Sequence, residues 1–408
     1  MAAMNYRPPQ KILEKYADVL VNFALNDGRG IKKNEVVEIV AHESAKPLYS
    51  ELRKAVLRAG GHVISKYLPD NEPTLNLSRD FYQLANTQQL RFFPKQYLRG
   101  LIDQLDHSVV ILSETFKLAL EGVDPRKIMT TTQAIKPYRD WMDTKENQGR
   151  YTWTIALYGT QEMANHAGLP LKAYWEQIIK GCFLHTKDPI EKWKRVYKQI
   201  DYYRERLNRL AIDKLHVKGK DADVWLSLGE KRRWQAGSGR NIPSFEIFTT
   251  PDWRGTQGWI RFNQPLYRNE QLITGIELTF RNGRVVKGRA ERNERYLKEM
   301  MKVPGADKVG EFSLTDARFS RITQFMAETL YDENIGGKEG NTHLALGKGF
   351  HDCYLGNPNQ VSQKQWERLG FNDSAVHTDI ISTARRTVTA YLKDSTAKVI
   401  YQNGQFTL

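Results

Sequence analysis

Residues 35–68 read EVVEIVAHESAKPLYSELRKAVLRAGGHVISKYL. Val36, Val37, Ile39 and Val40 make a β-branched run bounded by charge, which predicts a buried strand over residues 35–41. Residues 47–59 turn to helical periodicity and stop at Gly60-Gly61, a helix C-terminal signal. Residues 62–68 return to strand character. Strand, helix and strand at these spacings predict a parallel sheet covered by helices. On either side the pattern continues. Residues 11–25 predict a helix with Leu13, Tyr16, Ala17, Leu20 and Phe23 on one side, and residues 108–113 and 152–158 predict further strands.

Near residue 213 the texture changes. Residues 214–217, 223–228, 258–263, 273–280 and 284–289 are short alternating segments separated by turn residues such as Gly219, Gly255 and Asn269. Asn282-Gly283, between Leu278-Thr279-Phe280 and Val285-Val286, is a strong hairpin signal. Residues 318–330 predict a helix. The fold class is therefore α/β: an N-terminal parallel-sheet domain with flanking helices over residues 1–212, then a C-terminal, mainly antiparallel α+β domain over residues 213–408. No Pro/Gly/Ser linker separates them, so the halves are expected to pack firmly.

Composition excludes several classes. Nine Trp, nineteen Tyr and sixteen Phe in 408 residues can close a large core, so whole-chain disorder is excluded. No apolar run approaches the ~18 residues of a membrane span, and residues 1–10 carry no apolar leader segment. Cys182 and Cys353 are the only cysteines, too few for a disulfide framework or a Cys-ligated zinc site. A reducing, cytoplasmic location fits. The net charge of +14 raises the possibility of a polyanion partner. Residues 189–210 concentrate Lys192, Lys194, Arg195, Lys198, Arg204, Arg206 and Arg209. Trp193, Val196, Ile200, Tyr203 and Leu207 recur there at helical spacing, so these cations read as the solvated face of an amphipathic helix.

The chemistry lies in the last 170 residues. Glu246, Glu311, Glu333, His343, His377 and Asp379 stand in five motifs, and such carboxylate-rich sets with imidazoles hold Mn, Co or Zn. On an extended segment His377 and Asp379, two apart, face the same way. Four carboxylates would be neutralised by two divalent ions, whereas around one ion they would leave excess negative charge. Each motif alone has a plainer reading: His343, amid Leu344-Ala345-Leu346, as a hydrogen-bonded core histidine, and His377-Thr378-Asp379 as a surface loop. Their order and spacing together carry the case.

The stretches Asn241-Ile-Pro-Ser-Phe-Glu246, Gly310-Glu-Phe-Ser-Leu314, Leu330-Tyr-Asp-Glu-Asn-Ile-Gly-Gly337, Thr342-His-Leu-Ala-Leu-Gly347 and Asn372-Asp-Ser-Ala-Val-His-Thr-Asp379 resemble, in order, the signatures of the thermophilic metallo-aminopeptidases, the family of the aminopeptidase T, aminopeptidase S and PepS type. Glu14-Lys15-Tyr16-Ala17 resembles its opening. The resemblance implies a metal-dependent exopeptidase that removes N-terminal residues from peptides. It implies two divalent ions (Zn, Co or Mn) at Glu246, Glu311, Glu333, His343, His377 and Asp379, sharing a bridging water or hydroxide. One ion would bind the substrate's free α-amine and the other would polarise the scissile carbonyl. Glu311 is the expected bridging ligand or proton acceptor, and a homodimer with an internal cavity is also implied.

Two departures stand out. Glu333 and His343 are ten residues apart, where the family spacing is about five. Phe350 stands seven residues after His343, where the family usually has a Tyr, so Tyr354, four residues further on, is the candidate phenol. The rival readings are a basic nucleic-acid-binding protein, which should show cations interleaved with exposed aromatics, and a metal-binding peptidase homologue with weakened activity.

Overall fold

Residues 6–237 and 239–408 are described by the computed structural model; the reading of the first ten residues falls partly on residues 1–5, outside that range. Val36–His42, His62–Leu68, His107–Leu112 and Thr152–Leu157 form a four-stranded, all-parallel sheet. The Lys46–Arg58 helix links the first two strands, and Gly60, at φ +80°, follows it. Val37, Ile39, Val109 and Ile111 are buried, as expected for strands covered on both faces. Residues 11–25 are less regular than their pattern suggests. The helix covers Gln10–Val19, widens to a π turn over Leu20–Ala24, and is broken by left-handed Asn26 and Asp27.

The Pro189–Asn208 helix buries Trp193, Val196, Ile200 and Leu207 and leaves Lys194, Arg195 and Lys198 exposed, which is the solvated face read from its pattern. From Ile212 the chain is antiparallel. Eight strands run in the order Arg284–Arg289, Glu277–Arg281, Asp252–Arg261, Ala222–Ser227, Ile212–Gly219, Arg386–Leu392, Ala397–Gln402 and Gln405–Phe406. Asn282 and Gly283 both have positive φ, the geometry that lets a two-residue turn follow the strand twist. Residues 273–280 are two strands, not one, because Gly275 turns the chain at φ +62° between Gln271–Ile273 and Glu277–Arg281.

A second antiparallel sheet has the order His377–Ser382, Asn341–Gly347, Val309–Thr315, Glu246–Thr249 and Gln235–Ala236. Every residue of Val309–Thr315 and Asn341–Gly347 is buried. The helix expected over residues 318–330 is absent apart from the short turn Thr329–Asp332. Side chains satisfy the backbone there instead: Asp316 accepts from Arg318 N–H, Ser320 from Ile322 N–H, and Asp332 from Met326 and Glu328 N–H. Among the described residues no helix is long and apolar enough to cross a membrane.

Candidate metal centre

Strand register brings the candidate ligands to one face of the second sheet. Glu311 pairs with Ala345 and Ala345 with Asp379, so one row across three strands carries two carboxylates separated by a methyl group. His377 pairs with Gly347 in the next row, and His343 pairs with Ser313 on the other side. Glu246 opens its strand opposite Thr315, two residues from Ser313 and thus on the same face. A bulge sets the phase of Glu311, since Val309 pairs with Leu346 and Glu311 with Ala345, leaving Gly310 as the extra residue. A Cβ at Gly310 would lie 2.2 Å from the Lys348 carbonyl oxygen, so this bulge requires glycine.

Glu333 arrives from outside the sheet, just after the Thr329–Asp332 turn. Thr315 Oγ1 donates to its carbonyl at 3.1 Å and Asn241 Nδ2 to its Oε1 at 3.2 Å. The long spacing to His343 is taken up by a turn containing Gly337 and Gly340, both at positive φ. Glu333, His343 and Asp379 therefore lie together despite it.

His343 Nε2 lies 3.5 Å from Glu246 Oε2, 3.5 Å from Glu311 Oε1 and 3.8 Å from Asp379 Oδ1. His377 Nε2 lies 3.2 Å from both Glu311 Oε2 and Asp379 Oδ1. Two ligands about 2.1 Å from one ion at a tetrahedral angle stand about 3.4 Å apart, so these separations suit the edges of a coordination shell. Ligand atoms fall into three groups, each within 4.8 Å: Glu246, Glu311 and His343; Glu311, His377 and Asp379; Glu333, His343 and Asp379. Each pair of groups shares one residue. Asp379 Oδ1 is buried and, among the described residues, has no partner beyond the His377 Nε2 contact at 3.2 Å, which leaves acceptor capacity that a cation would satisfy.

The electrostatics show how much positive charge the cluster draws. Burial, then the charge of Glu311, pushes Glu246 up to about 7, against the opposing His343. Burial, followed by Glu246, Asp379 and Glu311, holds Glu333 well above the usual carboxylate range. Burial alone would lower both imidazoles, yet the carboxylates prevail: His343 is raised to about 9 by Glu311, Glu246 and Asp379, and His377 to about 10 by Asp379 and Glu311. Burial would raise Asp379, but His377 and His343 hold it well below its ordinary value. Protons thus take up the charge deficit that divalent ions would fill, and this donor set fits such ions.

Tyr354 is not among the residues the described contacts bring here. Its ring packs on Trp366 and Phe371, with centroids 5.2 and 6.3 Å away. Only a three-residue 3-10 turn, His351–Cys353, precedes it, and its own φ of −87° and ψ of 131° are extended. The helical relation between positions 350 and 354 is therefore missing. Phe350, by contrast, has its ring centroid 4.7 Å from that of His377.

The motifs alone do not mark the residues that support the ligands. Ser313 Oγ donates to Glu246 Oε2 at 2.9 Å and Ser244 Oγ to Oε1 at 3.3 Å. Phe245 N–H donates to Asn334 Oδ1 at 2.6 Å, pinning the Glu246 strand to the Glu333 turn. Ser244, Asn334 and Ser313 lie inside the quoted motifs, and their place beside acids was the one available signal.

Comparison with known proteins gives a consistent picture. Residues 9–406 match the family model described as thermophilic metalloprotease (M29). The aminopeptidase PepS of Streptococcus thermophilus is 26% identical over 419 residues, spanning 97% of this chain and 98% of that protein. Aminopeptidase T of Thermus thermophilus is 26% identical over 416 residues, with the same coverage of 97% and 98%. The solved structure of wild-type AmpT from Thermus thermophilus superposes with a TM-score of 0.78 at 23% identity, covering 98% of this chain and 100% of that one, which shows a shared fold.

Proposed function

The chain belongs to the thermophilic metalloprotease family M29, and we propose that it is a metallo-aminopeptidase removing N-terminal residues from peptides at a dinuclear metal centre. Glu246, Glu311, Glu333, His343, His377 and Asp379 would hold the ions. The observation that carries this reading is the set of three overlapping ligand groups, each pair sharing one residue, which spreads further than a single ion needs. The names of the aminopeptidase relatives, which match over nearly their whole length, support the same activity.

Two divalent ions of the Zn, Co or Mn type would lower the pKa of a shared water, polarise the scissile carbonyl and bind the free α-amine. The chain's own residues do the rest. As proton acceptor, Glu311 would take the proton released as water attacks the carbonyl and return it to the departing amide nitrogen, a role that competes with bridging the ions because both use the same two oxygens. Ser313 and Ser244 orient Glu246, and Asn241 orients Glu333. Two free, buried cysteines accord with a reducing compartment, the cytoplasm in this reading, and the protein is expected to work as a homodimer.

Free and N-acetylated forms of one short peptide, compared by mass spectrometry with metal-loaded protein, test the reading. Stepwise trimming of the free form alone is expected. Equal cleavage of both, or internal cuts, would overturn it. Elemental analysis after gentle dialysis should find about two ions per chain, and a value near zero that added Mn, Co or Zn does not restore would remove the dinuclear centre.

A further inference from the structure

The Lys136–Asn147 helix lies in the parallel-sheet half of the chain, yet one of its faces grips the other half. Lys136 Nζ lies 3.0 Å from Asp373. Arg139 Nη1 donates to the Ala375 carbonyl at 2.6 Å, and Asp143 is ion-paired with Lys348. Glu146 accepts from Arg240 at 2.7 Å, and Asn147 Nδ2 lies 3.0 Å from His351 Nδ1. Spacings of three and four residues put these side chains on one helical face.

Their targets are three loops at the rim of the candidate metal centre. Residues 373–375 lead into the strand that begins with His377. Residues 348–351 follow the strand that carries His343. Arg240 precedes Asn241, the donor to Glu333.

Two of the contacts converge on His377. Lys348, tied by its side chain to Asp143, offers its carbonyl to His377 Nδ1 at 2.7 Å and its N–H to the Val376 carbonyl at 2.7 Å. Arg139 fixes the carbonyl two residues before His377. A carbonyl can only accept, so Nδ1 carries the hydrogen, and in the neutral ring the Nε2 lone pair faces Glu311 and Asp379. That is the tautomer able to ligate through Nε2, and partners of this kind orient metal-binding histidines.

We propose that the Lys136–Asn147 helix is a clamp from the opposite half of the molecule, with Asp143 and Arg139 as positioning residues that hold His377 in its ligating tautomer and orientation. Metal retention then depends on how the N-terminal half is seated on the catalytic sheet. The proposal rests on the reading of His377 as a ligand.

The test is the rate at which zinc-loaded protein gives up its metal to excess EDTA, followed with a zinc-sensitive dye. Asp143→Lys, Lys348→Asp and Arg139→Ala are each expected to release zinc ~10-fold faster or more, the scale for losing such an orienting partner. Asp143→Lys combined with Lys348→Asp restores the ion pair with its charges exchanged and should recover most of the loss. Asp143→Asn keeps the shape and serves if the reversals fold poorly. Parental release rates in the Asp143 and Arg139 variants, or a double variant no better than the singles, would overturn the clamp. His377→Ala separates the two readings. Parental release from this variant would remove His377 as a ligand, whereas fast release from it beside parental rates in the clamp variants would remove the clamp alone.

Discussion

Between Glu311 and Asp379 the sheet places Ala345, and around that row the two carboxylates and both imidazoles face one another. Glu311 reaches both His343 and His377, one through each oxygen, so in the proposed dinuclear centre it is the carboxylate best placed to act between the ions. Glu311→Gln keeps the size and removes the charge. Turnover at saturating metal is expected to fall by at least ~10²-fold, the lower range for general acid–base participation, with circular dichroism unchanged. Near-normal turnover would assign the proton to another group. Glu270, outside the candidate ligand set, gives a second prediction. Among the described residues its Oε2 is buried without a partner, and Ser78 Oγ, at 3.4 Å, donates to Oε1. Burial, then Glu114, lifts it from the ordinary 4.5 to about 7. A carboxyl whose folded-state pKa is raised binds its proton more tightly when folded. It therefore costs nothing at low pH, costs progressively more as pH climbs from about 4.5 to about 7, and costs most above that. The penalty at pH 8 is at most ~3 kcal/mol. Glu270→Gln, measured in EDTA so that metal occupancy does not enter, should melt higher than the parent at pH 8 and no higher at pH 4.5. An equal gain at both values would show that ionisation is not the cause.

Among the elements, the ones with local causes could be read in advance. The Asn282-Gly283 hairpin needs only two residues that accept positive φ, and the Pro189–Asn208 helix only its apolar stripe. Residues 318–330 carry helical periodicity without forming the helix because their backbone is satisfied by side chains, including Asp332 reaching back to Met326, and a periodicity window does not contain that choice. The ligand positions were legible as motifs. The row Glu311–Ala345–Asp379 was not, because register depends on the Gly310 bulge and on strands far apart in sequence. The segment after Gly347 departs from the helical spacing between Phe350 and Tyr354. Reasoning from a helix would let Tyr354 replace a phenol missing at position 350, but the 3-10 turn sends its ring to Trp366 and Phe371. Phe350 is the side chain beside His377. Phe350→Tyr is therefore expected to raise kcat, on the ~10²–10³-fold scale of one oxyanion donor if the new hydroxyl reaches the carbonyl. Tyr354→Phe should leave kcat within a few-fold. A large loss from Tyr354→Phe with no gain from Phe350→Tyr would return the role to Tyr354.

Across the whole molecule, we place the division of the chain at residues 212/213, after the Pro189–Asn208 helix and at the start of the Ile212–Gly219 strand. The core does not stop there. Leu13, Tyr16 and Trp193 share one buried cluster with Phe245, Phe312 and Tyr331. Trp193 stacks on Phe245 at 5.2 Å, and Tyr16 Oη donates to the Ile242 carbonyl at 3.4 Å. Lys117, fully buried, is ion-paired with Glu114 from its own half and with Glu328, at 3.1 Å, from the other. Burial would lower its pKa, but Glu328 and Glu114 raise it, so it stays charged and ties the Glu333 turn to the parallel sheet. Neither half can leave the other without exposing aromatic surface and stranding that charge. Removing one partner of a buried pair typically costs ~3–5 kcal/mol. Calorimetry of the intact chain is therefore expected to show one transition. Lys117→Met removes the cation but leaves Glu114 and Glu328 facing each other, so that single transition should move to lower temperature without dividing. Residues 1–212 and 213–408 made separately should fail to give soluble folded protein. Two resolved transitions in the parent, or a Lys117→Met variant in which only one part of a divided transition shifts, would show that the halves are stable alone and that the shared cluster is only a contact between them.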